Sequence, residues 1–256
     1  MTKDRTLVRP LDLAVPVPLR CRTVKGPKMP ATAAKMKKKS PNNAVGNPTQ
    51  SLQTFNLLDL QQFTLEKSYS PSASKDFHLF YVGRDDVHEL LKYVLSRVSV
   101  SLYLNMFGYD DDELNTILLA KAMDPKIAVM ITLDKSQASG KTEAALLEAD
   151  RKKSLSAFNT HFVIGQSATH QISHTKGFVA DGRVGGEGST NWSTSGEGKF
   201  VLARQPGGTG YKAQNNTQSI FAATDTLTRF QAELIAEHMA AQKIAASSPD
   251  KAVANR

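Results

Sequence analysis

The chain has 256 residues, 40% of them hydrophobic, enough for a packed core in one large domain or two small ones. No apolar run approaches the roughly 18 residues that cross a bilayer, and the lone cysteine, Cys21, excludes an internal disulfide and a multi-cysteine metal cage. The net charge of +8 belongs to one end: residues 1–50 hold eleven Lys and Arg against Asp4 and Asp12, so the rest of the chain sits near −1.

Residues 1–70 read as a disordered basic tail or leader. Proline recurs from Pro10 to Pro71, the run Lys35-Met36-Lys37-Lys38-Lys39 repels itself, and apolar periodicity is weak. Leu11 to Leu19 is interrupted by Asp12, Pro16 and Pro18, so it makes no signal-peptide centre. A cytoplasmic location is the expectation. Leu52 to Leu65 has the composition of a short helix or strand. A lysine-rich tail suits phosphate backbones through counterion release, and a solvated leader is the plainer alternative.

From residue 71 to 256 one catalytic domain is expected, with strand and helix patterns alternating as in an α/β fold. Phe77 to Val82 is a strand. Val87, Leu90, Leu91, Val94, Leu95 and Val98 recur at helical spacing behind a cap at Asp85 or Asp86. Val98 to Phe107 is a strand and Asp111 to Met123 a helix, with the aspartates 110–112 placed as capping residues. Lys126 to Leu133 is a buried strand, Lys141 to Ala157 a helix, and His161 to Ile164 a short strand. Thr217 to Ala222 and a terminal helix from Leu227 to Ile244 close the pattern. Ser139-Gly140-Lys141-Thr142 imitates a phosphate loop, but Lys135 stands where such a loop needs its first glycine.

Residues 174–191 concentrate the chemistry. Ile172 to Ala180 is strand-like, which puts His174 and Lys176 on one face. Asp181-Gly182 is a two-residue hairpin signal, and the return strand runs into Gly188-Ser189-Thr190-Asn191. An imidazole, an ammonium, a hydroxyl and a carboxamide would thus meet in one volume, a set suited to a phosphate: one nucleophile and several donors, without a carboxylate cluster. Asp181, seven residues from His174, falls at the turn and is assigned to holding the hairpin. His78, His88, His161, His170 and His238 do not pair at metal-ligand spacing and read as surface or core residues, with His170 placed to line the mouth of the site. Trp192 reads as core.

The spacing His-x-Lys-x4-Asp-x6-Gly-Ser-x-Asn, from His174 through Lys176, Asp181 and Gly188 to Ser189 and Asn191, resembles the signature of the phospholipase D superfamily. With Asn191-Trp192-Ser193 it is similar to the single-motif branch of small bacterial endonucleases and mitochondrial cardiolipin hydrolase-like proteins. The resemblance implies a mixed central sheet flanked by helices and a phosphodiesterase that needs neither cofactor nor metal. It implies His174 as the nucleophile forming a phosphohistidine, with Lys176, Ser189 and Asn191 holding the phosphoryl group. The second histidine would come from a homodimeric partner, so the active site would be shared. Nucleic acid is the expected substrate, phospholipid the alternative, and a catalytically weak nucleic-acid binder the third reading. Asn216-Thr217-Gln218 stands where the family often carries an orienting carboxylate, so Gln218 is the candidate for that hydrogen bond.

Overall fold

The computed structural model describes residues 55–134, 142, 144–146, 148, 160–165, 173–199 and 212–247. The candidate tail up to residue 54, most of the helix expected over 141–157, and His170 lie outside the described residues. All the described residues belong to the compact unit Gln50–Arg256.

The expected α/β architecture is present as a mixed seven-stranded sheet flanked by helices. In chain order the strands are β1 (Phe77–Tyr81), β2 (Ser101–Met106), β3 (Tyr109–Asp110), β4 (Ala128–Asp134), β5 (Thr160–Gly165), β6 (Lys176–Ala180), β7 (Val184–Gly188), β8 (Trp192–Ser193) and β9 (Thr217–Phe221). The described helices are α1 (Val87–Ser96), α2 (Asp112–Ala122), a one-turn α3 (Thr194–Glu197) and a long α4 (Thr224–Ser247). The large sheet runs β1-β9-β7-β6-β2-β4-β5; β2, β4 and β5 are mutually parallel, and every other pairing is antiparallel. β3 and β8 form a separate parallel pair.

Local chemistry accounts for the element boundaries. The Asp86 carboxylate caps α1 by accepting from Glu89 N, and Asp111 caps α2 by accepting from Glu113 N and Leu114 N. Val87, Leu90, Leu91, Val94 and Leu95 recur at helical spacing, so α1 turns one apolar stripe onto the sheet. The main core lies on that face, where Phe80, Leu102, Leu104, Ile131, Phe178 and Ile220 meet α1 and α2. A smaller cluster of Val179, Phe221, Leu227 and Leu234 lies on the other face, beneath α4.

The domain starts earlier than expected. Leu57–Phe63, assigned above to the tail, is a 3-10 helix whose Leu57, Leu60 and Phe63 are buried in the main core. With three residues per turn, a spacing of three places all of them on one side. Asn56 caps it by accepting from Leu58 N, and the Phe63 carbonyl accepts from Asp86 N, at the start of α1.

The hairpin joining β6 and β7 forms where the Asp-Gly pair predicts it. Asp181 and Gly182 have φ of 54° and 62°, and Arg183 N donates to Ala180 O at 3.0 Å. The ladder then pairs Ala180 with Val184, leaving Arg183 as one extra residue. Among the described residues no helix is long and apolar enough to cross a membrane.

Candidate active site

At the start of β6 the chain arrives from Ser173, whose backbone N donates to the buried Asp134 carboxylate at the end of β4. The Ser173 hydroxyl donates to Asn105 Oδ1 on β2 at 3.1 Å. These two bonds fix the residue immediately before His174. His174 itself is exposed, with its ring edge-on to Phe107 at 4.6 Å between centroids.

The two basic groups differ in burial. β6 begins at Lys176, so His174 precedes the strand and is free of its alternation. Lys176 is buried, opposite Met106 of β2, and its Nζ turns back to donate to the His174 carbonyl at 2.8 Å. That Nζ lies 5.0 Å from the centroid of the same Phe107 ring. Phe107 therefore brings the two groups together, which strand alternation was expected to do. Burial holds the Lys176 ammonium below the usual lysine range, opposed by the negative charge of Glu187.

The other half of the motif is anchored by the β7–β9 pairing. Gly188 opposes Gln218 so closely that a Cβ on Gly188 would stand 2.2 Å from the Thr217 carbonyl oxygen, and only glycine fits. Ser189 is anchored twice to Thr217: its N–H donates to Thr217 O, and its Oγ accepts from Thr217 N, both at 3.0 Å. The hydroxyl proton of Ser189 thus remains for an outside acceptor. Thr190 Oγ1 also donates to Thr217 O.

Asn191 packs against the turn that follows Phe107. A Cβ on Gly108 would stand 2.7 Å from Asn191 Cγ, so glycine at 108 makes room for the carboxamide. Trp192 N donates to Gly108 O, which starts the β3–β8 pairing. Asn191 Oδ1 is buried without a hydrogen-bond partner among the described residues. Trp192 is fully buried between Tyr109 and Phe178, in the core position expected of it.

Asp181 lies at the far end of β6. Its carboxylate accepts from Ser99 N, Ser99 Oγ, Val100 N and Ser101 N, which ties the hairpin to the entrance of β2. Gln218 is buried, and its Nε2 donates to Ser219 O while Oε1 has no partner among the described residues. It makes no hydrogen bond to His174, so the orienting contact expected of it is absent.

Sequence reading missed the supports of this site: Phe107 beneath both basic groups, Asn105 and Asp134 behind Ser173, and Thr217 under Ser189. It also set His88 aside, and the structure surrounds that ring with carboxylates. His88 Nδ1 is 2.6 Å from Glu197 Oε2 and 3.8 Å from Asp111 Oδ2, and Nε2 is 3.5 Å from Glu113 Oε2. Burial pushes the Glu197 carboxyl up to about 7, against the opposing hydrogen bond from His88. For His88, burial alone would lower the pKa, but the hydrogen bond to Glu197 and the charges of Glu197 and Asp111 raise it overall. Partners 109 residues apart leave no local spacing to read.

Neither a family model nor a curated protein matches the sequence. Solved structures with a similar chain path include the phospholipase D family member Nuc from Salmonella typhimurium. It is 13% identical with a TM-score of 0.46, over 63% of this chain and 92% of that one. NucT from Helicobacter pylori is 14% identical with a TM-score of 0.47, over 64% and 96% of the two chains. Phosphatidylserine synthase from Haemophilus influenzae is 13% identical with a TM-score of 0.46, over 60% of this chain and 35% of that one.

Proposed function

We propose that the protein is a metal-independent phosphodiesterase, an endonuclease acting on DNA or RNA through a phosphohistidine at a homodimer interface. The observation that carries this reading is the pairing of an exposed imidazole, His174, with a buried ammonium, Lys176, on one aromatic ring. The motif adds the Ser189 hydroxyl, tied to the Thr217 backbone, and the Asn191 carboxamide, packed against Gly108, the residue after Phe107.

A nitrogen of neutral His174 attacks phosphorus, the P–N bond forms, and the P–O bond to the leaving group breaks. A second imidazole, His174 of a partner copy, donates its proton to the departing oxygen. That now neutral ring takes a proton from water, and the hydroxide displaces His174 from phosphorus and regenerates both rings. The Lys176 ammonium, and its counterpart in the second copy, offset the charge on the pentacoordinate phosphorus. The basic residues 1–50 favour a polyanionic substrate over a lipid head group.

The test is cleavage of plasmid and single-stranded DNA and of RNA in excess EDTA, with His174→Ala alongside. Cleavage that survives the chelator and vanishes in the variant is expected. Turnover on phospholipid vesicles with none on nucleic acid would overturn the substrate assignment, and full activity of the variant would overturn the mechanism. The shared site has its own arithmetic. After equal amounts of wild type and His174→Ala exchange subunits freely, about one quarter of dimers are wild type on both sides. Activity should fall to about that fraction, whereas self-sufficient chains would keep about one half.

A further inference from the structure

His88 on α1, Asp111 at the cap of α2 and Glu197 on the α3 turn come from three separate elements, and all three are buried. Each offers a ligand atom, one ring nitrogen and two carboxylate oxygens, and these atoms all lie within 4.8 Å of one another. Ligands around a tetrahedral zinc ion are about 3.3 Å apart, given metal–ligand bonds of about 2.0–2.1 Å. The cluster needs little adjustment: the 2.6 Å contact between His88 Nδ1 and Glu197 Oε2 opens slightly, and the 3.8 Å contact to Asp111 Oδ2 closes slightly.

Two further observations point to a cation. The Glu197 side chain is fully buried, yet its Oε1 has no hydrogen-bond partner among the described residues. Covalent geometry keeps that oxygen beside Oε2, at the cluster. Leaving a carboxylate oxygen bare in a protein interior is costly unless a positive charge faces it. The local charges are also unbalanced. Asp111, Glu197, Glu113 and Glu89 bring four carboxylates against the two ammonium groups of Lys92 and Lys199, which leaves −2 once an ion displaces the proton charge held by the His88–Glu197 pair. One divalent ion cancels that charge.

We propose that His88, Asp111 and Glu197 bind a divalent transition-metal ion, zinc above all, in a structural site distinct from the catalytic residues. Each ligand has a reason to be available. Asp111 caps α2 through Oδ1, which leaves Oδ2 for the ion. Lys199 lies 3.3 Å from that Oδ2 but has a shorter partner in Glu113 Oε1 at 2.7 Å, so it can stay with Glu113 when Asp111 turns to the metal. The imidazole nitrogen selects zinc over magnesium, which takes oxygen ligands and keeps its waters. A fourth position is left for water. Bound there, the ion ties α1 and the start of α2 to the turn that follows Asn191.

The full-length protein, stripped of metal and then titrated with zinc chloride, tests this without reference to activity, so its outcome is independent of the phosphodiesterase reading. Metal analysis after dialysis should find one zinc per chain, and saturating zinc should raise the melting temperature by about 5 °C or more, with magnesium giving no rise. Asp111→Asn keeps the helix cap and Glu197→Gln keeps the shape; each should weaken zinc binding at least about tenfold. X-ray absorption on the wild-type zinc form should show a single imidazole with oxygen ligands and no sulfur, which decides the matter even where a variant fails to fold. Zinc-free wild type, zinc held equally well by both folded variants, or a shell of several imidazoles would each overturn the site.

Discussion

Asp181 is part of the motif, yet the structure gives it mechanical work, and the distinction can be measured. Four donors, Ser99 N, Ser99 Oγ, Val100 N and Ser101 N, converge on its carboxylate at 2.8–3.1 Å. Hydrogen bonds to a charged group contribute about 1.5–3 kcal/mol each. The group is half-exposed, so water replaces part of what is lost, and bonds sharing one acceptor do not add. A loss of about 3 kcal/mol for Asp181→Ala is the conservative reckoning. Its φ of 54° adds about 1 kcal/mol, because alanine is strained where Asp and Asn are tolerated. A domain of this size loses about 2–4 °C of melting temperature per kcal/mol, so the variant should melt about 8–16 °C below wild type. Asp181→Asn retains one acceptor oxygen and the backbone tolerance, and should lose about 1–2 kcal/mol. Asp181→Gly removes the bonds but not the backbone compatibility, and should fall between the two. Urea and thermal denaturation followed by circular dichroism give these numbers, and phosphodiesterase turnover is then measured well below each midpoint. The folded fraction of every variant should keep a kcat within about threefold of wild type. If Asp181→Asn melts with wild type but loses turnover by orders of magnitude, Asp181 acts in the chemistry and the structural assignment fails.

Starting the chain at residue 71 removes Leu57, Leu60 and Phe63 from the core, each contributing about 1.5–3 kcal/mol by burial. That truncation should lower the melting temperature by at least about 10 °C relative to a chain starting at residue 55, and equal melting of the two would refute the packing. Because burial already depresses the Lys176 pKa and Glu187 opposes the shift, the alkaline limb of the activity profile should lie below that of an ordinary lysine. Glu187→Gln should move the limb further down; a limb that stays put or rises contradicts this electrostatic account. In metal-stripped protein, the folded state holds protons on Glu197 and His88 more tightly than the unfolded chain does. The Glu197 contribution is complete below the ordinary carboxyl pKa of 4.5 and is lost as pH rises through about 7, and His88 adds in the same direction. The urea midpoint should fall across that window, Glu197→Gln should flatten the fall, and an equally steep profile in that variant would rule the pair out as its source.

Most of the fold was legible because its signals are local. Asp86 and Asp111 cap the helices they precede, the apolar stripe of α1 is complete in sequence, and Asp181-Gly182 turns where that dipeptide turns. The failures share a cause as well. Leu57, Leu60 and Phe63 repeat every third residue, the period of a 3-10 helix, so the short helix or strand expected within Leu52 to Leu65 carries no sustained α-helical or strand pattern that ties it to the domain. His88 and Glu197 meet across 109 residues and carry no pattern at all. The strand expected from Ile172 begins four residues later, at Lys176, so His174 lies before it while both groups still meet at Phe107.

Where β6 begins bears on the proposed function. On the proposed mechanism, His174 must reach phosphorus and has to be exposed, whereas the Lys176 ammonium acts more strongly when shielded from water. Two residues on one strand face share an environment and cannot readily satisfy both demands. Ending the strand at Lys176 separates them: Lys176 stays buried in the sheet while His174 stands outside it, pinned through Ser173 to Asn105 and Asp134 and propped on Phe107. The Lys176–His174 carbonyl bond then keeps the buried charge beside the backbone of the exposed ring. On the proposed mechanism the one-residue spacer of the His-x-Lys motif carries the chain from loop to strand, from the exposed nucleophile to the buried charge.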